Sequence, residues 1–250
     1  MNNHKIIRNA KRKVLITGAT SGIGREIALR FAKEGWDVFC HYFSSEEKVS
    51  GLKNAINGFG VDCYLLKADL SSERQLKIFV NKVKKFKIDA LINNAGTYVV
   101  SRHFKELTLA DINKTFMVNA FSPMLLCAAL MARMQKSGFG RIVNISSIAA
   151  KYGGSSCSMH YACSKLALEG LTKTLAREGA PYNILVNTIR PGVIDTDFHK
   201  KFPKDLKKRI ALIPLKRMGA PSDVAELAYY LGSETNKFIT NETIAVSGGE

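Results

Sequence analysis

Two hydrophobic rhythms take turns along this chain. Short continuous apolar runs at 14–16, 37–42, 62–67, 88–92, 141–145 and 184–189 show no polar alternation, as expected of strands covered on both faces. Between them, apolar residues recur at helical spacing: Ile23, Ile27 and Phe31; a charged stretch at 46–57; Leu76, Phe79, Val80 and Val83 after the N-terminal signal Ser71-Ser72-Glu73; a long region at 109–135 broken locally by Pro123; then 160–177 and 222–231. A short strand at 243–246 closes the series. Strand following helix throughout predicts an α/β fold, a single-domain, doubly wound parallel sheet with helices on both faces. No linker, repeat or low-complexity segment divides it.

The polar punctuation falls at the carboxyl ends of the predicted strands, where such sheets bind ligands. It comprises Thr17-Gly18-Ala19-Thr20-Ser21-Gly22-Ile23-Gly24, then Asp69, Asn93-Asn94-Ala95-Gly96, Ser147 and Pro191-Gly192. In the first stretch, glycines let the backbone turn tightly and a pyrophosphate approach it, and the following helix aims free N–H groups at the anion. Its spacing, G-x-x-x-G-x-G, is neither the common G-x-G-x-x-G fingerprint nor a P-loop. Alone, it also reads as a turn that binds nothing.

At 250 residues, 46% hydrophobic and 23% charged, the chain suits one soluble domain with a proper core. No apolar run approaches the roughly 20 residues that span a bilayer, so no membrane insertion is expected. Residues 1–12 read as a basic, frayed tail without the apolar segment of a secretory signal, and 13–250 as the domain. The five cysteines form no C-x-x-C pair and read as reduced thiols of a cytoplasmic protein; no metal site is expected. The net charge of +16 admits three readings: nucleic-acid binding, a solvated basic surface, or attraction of anionic substrates and cofactors. The lysines are dispersed over several helices and no nucleic-acid motif appears, so no specific nucleic-acid partner is expected.

Together these residues resemble the short-chain dehydrogenase/reductase family. The matches are Thr17-Gly18-x-x-x-Gly22-Ile23-Gly24, Asn93-Asn94-Ala95-Gly96, Asn119, Ser147, Tyr161-x-x-x-Lys165 and Pro191-Gly192, in the family's order, and the likeness runs from about Lys13 to the end. Within the family it is greatest to 3-oxoacyl-[acyl-carrier-protein] reductases and related carbonyl reductases. The resemblance implies a Rossmann fold and a catalytic set of Asn119, Ser147, Tyr161 and Lys165. It also implies a nicotinamide dinucleotide held by Gly18, Thr20, Ser21, Gly22, Ile23, Gly24, Tyr42, Phe43, Ser44, Asp69, Leu70, Asn94, Ala95, Gly96, Tyr161, Lys165, Pro191, Gly192, Ile194 and Thr196. In the family the lysine also holds the nicotinamide ribose, and the asparagine anchors a water that relays protons to it.

Residue chemistry agrees. Tyr161 and Lys165, four apart on a helix, share a face. A phenol is a poor acid near neutrality, and a nearby ammonium lowers its pKa, which suits Tyr161 to general acid in reduction and base in oxidation. Ser147 is placed to hydrogen-bond a substrate carbonyl oxygen, with its neighbour Ser146 the lesser candidate. Singly, each residue has an ordinary alternative: helix-surface neighbours, a capping serine, a satisfied asparagine.

After the second strand, His41-Tyr42-Phe43-Ser44-Ser45 lacks the carboxylate that selects NAD, with no acid until Glu46. Ser44 and Ser45 can donate to a 2′-phosphate and His41 can add charge, so NADPH is the expected cofactor. The segment 196–214, corresponding to the family's substrate lid, is rich in cations: His199, Lys200, Lys201, Lys204, Lys207, Lys208 and Arg209. It reads either as a solvated amphipathic helix or as an attractor of an anionic carrier. Pro181-Tyr182 stands where acyl-carrier reductases commonly have a docking arginine. A 3-oxoacyl thioester is the first expected substrate, then a sugar or other secondary alcohol or ketone; a cofactor-binding regulatory protein without turnover is the alternative of another class. The family likeness also implies a homo-oligomer, tetramer or dimer, with Phe121, Leu125, Leu168 and Leu171 serving its interface or the core.

Overall fold

The computed structural model describes residues 11–20, 22–44, 46–98, 102–197 and 206–250. The expectations for Ser21, Ser45, His199, Lys200, Lys201 and Lys204 lie outside them, as does most of the basic N-terminal tail. Two residues of that tail are anchored rather than frayed: the Arg12 guanidinium pairs with Asp89 at 3.1 Å, and Lys11 Nζ donates to the Gly60 carbonyl at 2.6 Å.

Strands β1 (Lys13–Ile16), β2 (Asp37–Tyr42), β3 (Cys63–Lys67), β4 (Ala90–Asn93), β5 (Gly140–Ile145), β6 (Ile184–Pro191) and β7 (Thr243–Val246) form one sheet in the order β3-β2-β1-β4-β5-β6-β7. Every pairing is parallel. On one face, helices α1 (Gly22–Lys33) and α2 (Glu46–Asn57) and the later helix at Pro221–Gly232 bury Phe31, Leu52, Ile56, Val224 and Leu231 against the strands. On the other, α3 (Glu73–Val83), α5 (Ser122–Ser137) and α7 (Met159–Gly179) bury Leu76, Phe79, Leu126, Leu130 and Ala176. Ser72 caps α3, its hydroxyl accepting from the Gln75 amide. Coverage of both faces explains the unbroken apolar strands.

The long helical region departs from expectation. It runs on from α4 (Leu109–Phe116) through a π turn (Met117–Phe121) into α5, and Pro123 lies in the first turn of α5 without ending it. Proline offers no N–H to the carbonyl four residues back and crowds it. The wider turn just before it absorbs the misfit: the Ser122 amide reaches back to the Met117 carbonyl, and the Ser122 hydroxyl donates to Val118 O at 2.9 Å. Taken as one helix, Leu109–Ser137 is 29 residues, long and apolar enough by length and composition to cross a membrane, which corrects the reading that no stretch approaches that length. Half of its most apolar window is packed inside the fold.

Strand β6 also continues two residues past its expected end, Arg190 pairing with Ala245 and Pro191 with Val246. The short α6 (Ile148–Tyr152) was not signalled, being too brief to show a period; α8 (Leu206–Leu212) carries Lys207, Lys208 and Arg209, and α9 is Pro221–Gly232. Leu168 is buried in the core and Leu171 packs partly against it, whereas Phe121 and Leu125 are exposed.

Candidate active site

Strand order reverses between β1 and β4, and the loops leaving these two strands meet. Thr17 joins them: its Oγ1 accepts from the amides of Asn94 at 3.0 Å and Ala95 at 2.9 Å, while Asn94 Nδ2 donates to the carbonyls of Thr17 at 2.9 Å and Gly18 at 3.1 Å. Gly24 sits against this junction, where a Cβ would lie 2.2 Å from Gly18 O and 2.4 Å from Asn94 Nδ2. Gly22 has φ of 54°, and a Cβ there would meet the Thr196 methyl at 3.1 Å. Close packing, rather than the common G-x-G-x-x-G spacing, therefore fixes the glycines at 22 and 24, and the first turn of α1 presents amides that have no acceptor within the helix. This side-chain-free cradle, open at a helix N-terminus, fits a dinucleotide pyrophosphate.

His41 departs from its expected role. It is 2% exposed, accepts the Gly18 N–H on Nδ1 at 3.1 Å and donates from Nε2 to Ala68 O at 3.1 Å. Burial pulls its pKa down to about 4, against weaker opposing effects of the Ala68 carbonyl and Asp69. It is thus a neutral brace under the glycine turn and adds no charge for a 2′-phosphate. Phe43 and Ser44 beyond it are exposed and Tyr42 is half-buried. Glu46, the first acid after β2, is paired with Lys67. Leu70 is buried, and Asp69 caps its own loop by accepting from the Ser71 amide at 2.8 Å and hydroxyl at 2.7 Å. On the opposite rim, Pro191 and Ile194 are buried, and Gly192 has no room for a Cβ, which would lie 2.8 Å from Ser247 Cα.

The second half of the site gathers on α7 and the end of β5. Tyr161 is hydrogen-bonded to Ser147, which caps α6 by accepting from the Ala149 amide. Ser146 points the other way, its Oγ donating to buried Glu169 at 2.7 Å, so Ser147 is the serine that meets Tyr161. Lys165 is 2% exposed, donates from Nζ to Ile145 O at 2.8 Å and lies 5.8 Å from the Tyr161 ring centroid. A Cβ on Gly96 would come within 3.1 Å of that Nζ and 3.7 Å of Asn119 Oδ1, so this glycine leaves room for the buried lysine head group. Asn119, within the π turn, spends its side chain on structure: Oδ1 accepts from the Thr97 amide at 2.8 Å, and Nδ2 donates to Thr97 O and Ser164 Oγ, each at 2.9 Å.

The electrostatics differ in one respect from expectation. Burial raises the Tyr161 pKa and the Ser147 hydrogen bond only partly offsets this, so the phenol is not acidified in the protein by itself. Burial also pulls Lys165 down to about 8, with Glu169 opposing, which leaves the ammonium mostly charged at neutral pH. Sequence reading missed Glu169, since a glutamate on a helix ordinarily faces water. It also missed Tyr98, packed edge-on against Tyr161 with centroids 5.9 Å apart, and His160, buried and stacked on Tyr98.

Known proteins fit this geometry. A family model described as enoyl-(acyl carrier protein) reductase matches residues 18–250. The 3-oxoacyl-[acyl-carrier-protein] reductase FabG of Aquifex aeolicus is 35% identical over 238 residues, covering 94% of this chain and 95% of that protein. Among solved structures, a blue fluorescent protein from a metagenomic library in complex with NADPH superposes with a TM-score of 0.88 at 30% identity, covering 95% of this chain and 97% of its own. A 3-oxoacyl (acyl-carrier-protein) reductase from Agrobacterium tumefaciens with NADP bound gives a TM-score of 0.87 at 28% identity, covering 96% and 94%.

Proposed function

The chain belongs to the short-chain dehydrogenase/reductase family and is an NAD(P)-dependent oxidoreductase, and from that premise we propose that it uses NADPH to reduce a ketone, first of all a 3-oxoacyl thioester on an acyl carrier protein or coenzyme A, to the 3-hydroxyacyl product. The observation that carries the reading is the convergence of Ser147, Tyr161 and Lys165 beside Gly96, at the crevice that the glycine turn opens. The 35% identity to a 3-oxoacyl-[acyl-carrier-protein] reductase over nearly the whole chain favours the thioester.

A dinucleotide held by the glycine turn and by Lys165 would supply the hydride for the carbonyl carbon. Ser147 and Tyr161 hydrogen-bond the carbonyl oxygen and so favour the negative charge that develops there. Tyr161 then gives that oxygen its proton, becoming phenolate, and the Lys165 ammonium stabilises the phenolate until the proton is replaced. The phenol pKa, raised by burial, suits a proton donor that holds its proton until the oxygen becomes basic. Asn119 fastens Thr97 to α7 through Ser164, so the loop that carries Gly96 stays clear of Lys165.

Discrimination for NADPH is assigned to the segment after β2. Phe43 and Ser44, directly after β2, carry no carboxylate to repel a 2′-phosphate and Ser44 offers a donor; of the acids that follow, Glu46 is engaged by Lys67, while Glu47 is exposed and Lys48 is paired with Asp197. We read the enzyme as a cytoplasmic homo-oligomer, in keeping with its likeness to the family. The test follows NADPH absorbance with acetoacetyl thioesters, small ketones and sugar ketones, repeated with NADH at equal concentration. Turnover of a thioester and a clear NADPH preference are expected, and Tyr161→Phe should lower kcat at least about 100-fold while NADPH still quenches protein fluorescence. Absence of turnover with every thioester would remove the acyl reading, and an NADH preference would remove the cofactor reading.

A further inference from the structure

Glu169 has no part in the roles above, yet its carboxylate is buried among them, with the residue only 6% exposed. On α7 it follows Tyr161 and Lys165 at successive intervals of four, so the three share a helix face. Its Oε1 accepts from Ser146 Oγ and from Arg190 Nε, each at 2.7 Å, and its Oε2 accepts from Arg190 Nη2 at 2.6 Å. One carboxylate thus joins α7 to the end of β5 and to β6. Lys165 makes a parallel tie one turn earlier, from Nζ to Ile145 O at 2.8 Å. Two successive residues, Ile145 and Ser146, are held by two successive turns of α7, and the next residue is Ser147.

A buried ion pair is weak evidence for stability, because desolvation offsets much of its attraction. This one also has a charge to act on. Lys165 is buried, and burial pulls its pKa down to about 8 while Glu169 works against that fall. From its own helix the titratable groups facing Lys165 are Tyr161 and Glu169; from the π turn comes uncharged Asn119 near Gly96; from β6, Arg190 faces the carboxylate. We propose that Glu169 is a positioning residue for the reductase chemistry: shared between Ser146 and Arg190, it fixes the strand end that carries Ser147 and supplies the counter-charge for the buried Lys165 ammonium. The turnover arm of this inference rests on the catalytic reading of Ser147, Tyr161 and Lys165.

The test compares Glu169→Gln and Arg190→Gln with wild type. Three quantities are read: kcat against pH from about 6 to 10, Tm, and titration of Lys165 by ¹³Cε-lysine NMR, its resonance assigned from its loss in Lys165→Arg. Loss of the charged form with rising pH makes Lys165 set an alkaline limb. In Glu169→Gln that limb and the NMR midpoint should move down by about one pH unit, and kcat at pH 8 should fall roughly fivefold or more. Arg190→Gln keeps the carboxylate, so its midpoint should stay level or rise even where Tm falls. A Glu169→Gln midpoint within about 0.3 pH unit of wild type, with the loss confined to Tm, would overturn the proposal. So would a downward shift in Arg190→Gln, which alone decides the matter if Glu169→Gln does not fold. If wild type turns over no ketone, the catalytic reading fails by itself, while the NMR titration still decides whether Glu169 supports the Lys165 charge.

Discussion

Acid should loosen this protein through His41, the buried imidazole under the glycine turn. The Gly18 N–H can only donate, so Nδ1 must accept and Nε2–H must face the Ala68 carbonyl; a second proton would set two N–H groups against each other. The folded pKa is about 4 against an ordinary value of 6.5, a lowered pKa caused chiefly by burial. Between those values the unfolded chain binds a proton that the native chain refuses, so stability is complete above pH 6.5 and is lost as pH falls toward 4. Integrated over that window, the single histidine withdraws about 2 kcal/mol by pH 5 and about 3 kcal/mol by pH 4. The perturbation is His41→Asn, which keeps an acceptor for Gly18 but cannot titrate. Urea unfolding at fixed protein concentration, at pH 7.5 and 5.0, should show wild type losing about 2 kcal/mol more than the variant, although the variant starts less stable for want of its Ala68 contact. Parallel losses in the two proteins would refute the reasoning and return the acid sensitivity to the carboxylates.

Two glycine exchanges should separate the cradle from the ordinary helix. Gly24→Ala drives a methyl into Gly18 O and Asn94 Nδ2, and should weaken NADPH binding, read by fluorescence quenching, by roughly 100-fold or more. Gly51→Ala, in the middle of α2 with open space at its Cβ, should instead stabilise the fold by about 0.5–1 kcal/mol in urea titration. The paired serines divide likewise. Ser147→Ala should cut kcat about 100-fold and, since Ser147 also caps α6, cost about 1 kcal/mol of stability, whereas Ser146→Ala removes a buried donor from Glu169 and should cost about 1–2 kcal/mol of stability by urea unfolding.

The layers of the fold were legible because parallel strands covered on both faces lose their polar alternation, and β2, α2 and β7 lie where the pattern put them. Element ends were less so. Lys13 and Gly140 join strands through ladders formed with distant partners, and no local pattern reports those partners. The pairing of Tyr161 with Lys165 is local, four residues on one helix, and was readable. The duty of His41 depends on Gly18 and Ala68, that of Glu169 on Ser146 and Arg190, and those contacts exist only once strands and helices have assembled. For the same reason a histidine that looked like a free charge proved to be a neutral brace.

The seam between Thr17 and Asn94 also sets a schedule for synthesis. The two residues stand 77 apart, and a ribosome adding roughly 5–20 residues per second needs about 4–15 s to pass from one to the other. Strands β1 and β2 can pair in that interval, since both precede β4, but the glycine turn waits without the side chain that grips its carbonyls. A nascent chain ending before Asn94 therefore carries the whole phosphate-binding sequence and cannot yet hold the turn in its finished shape. Competence to capture nucleotide arrives abruptly with β4, late in the growth of the half that binds it.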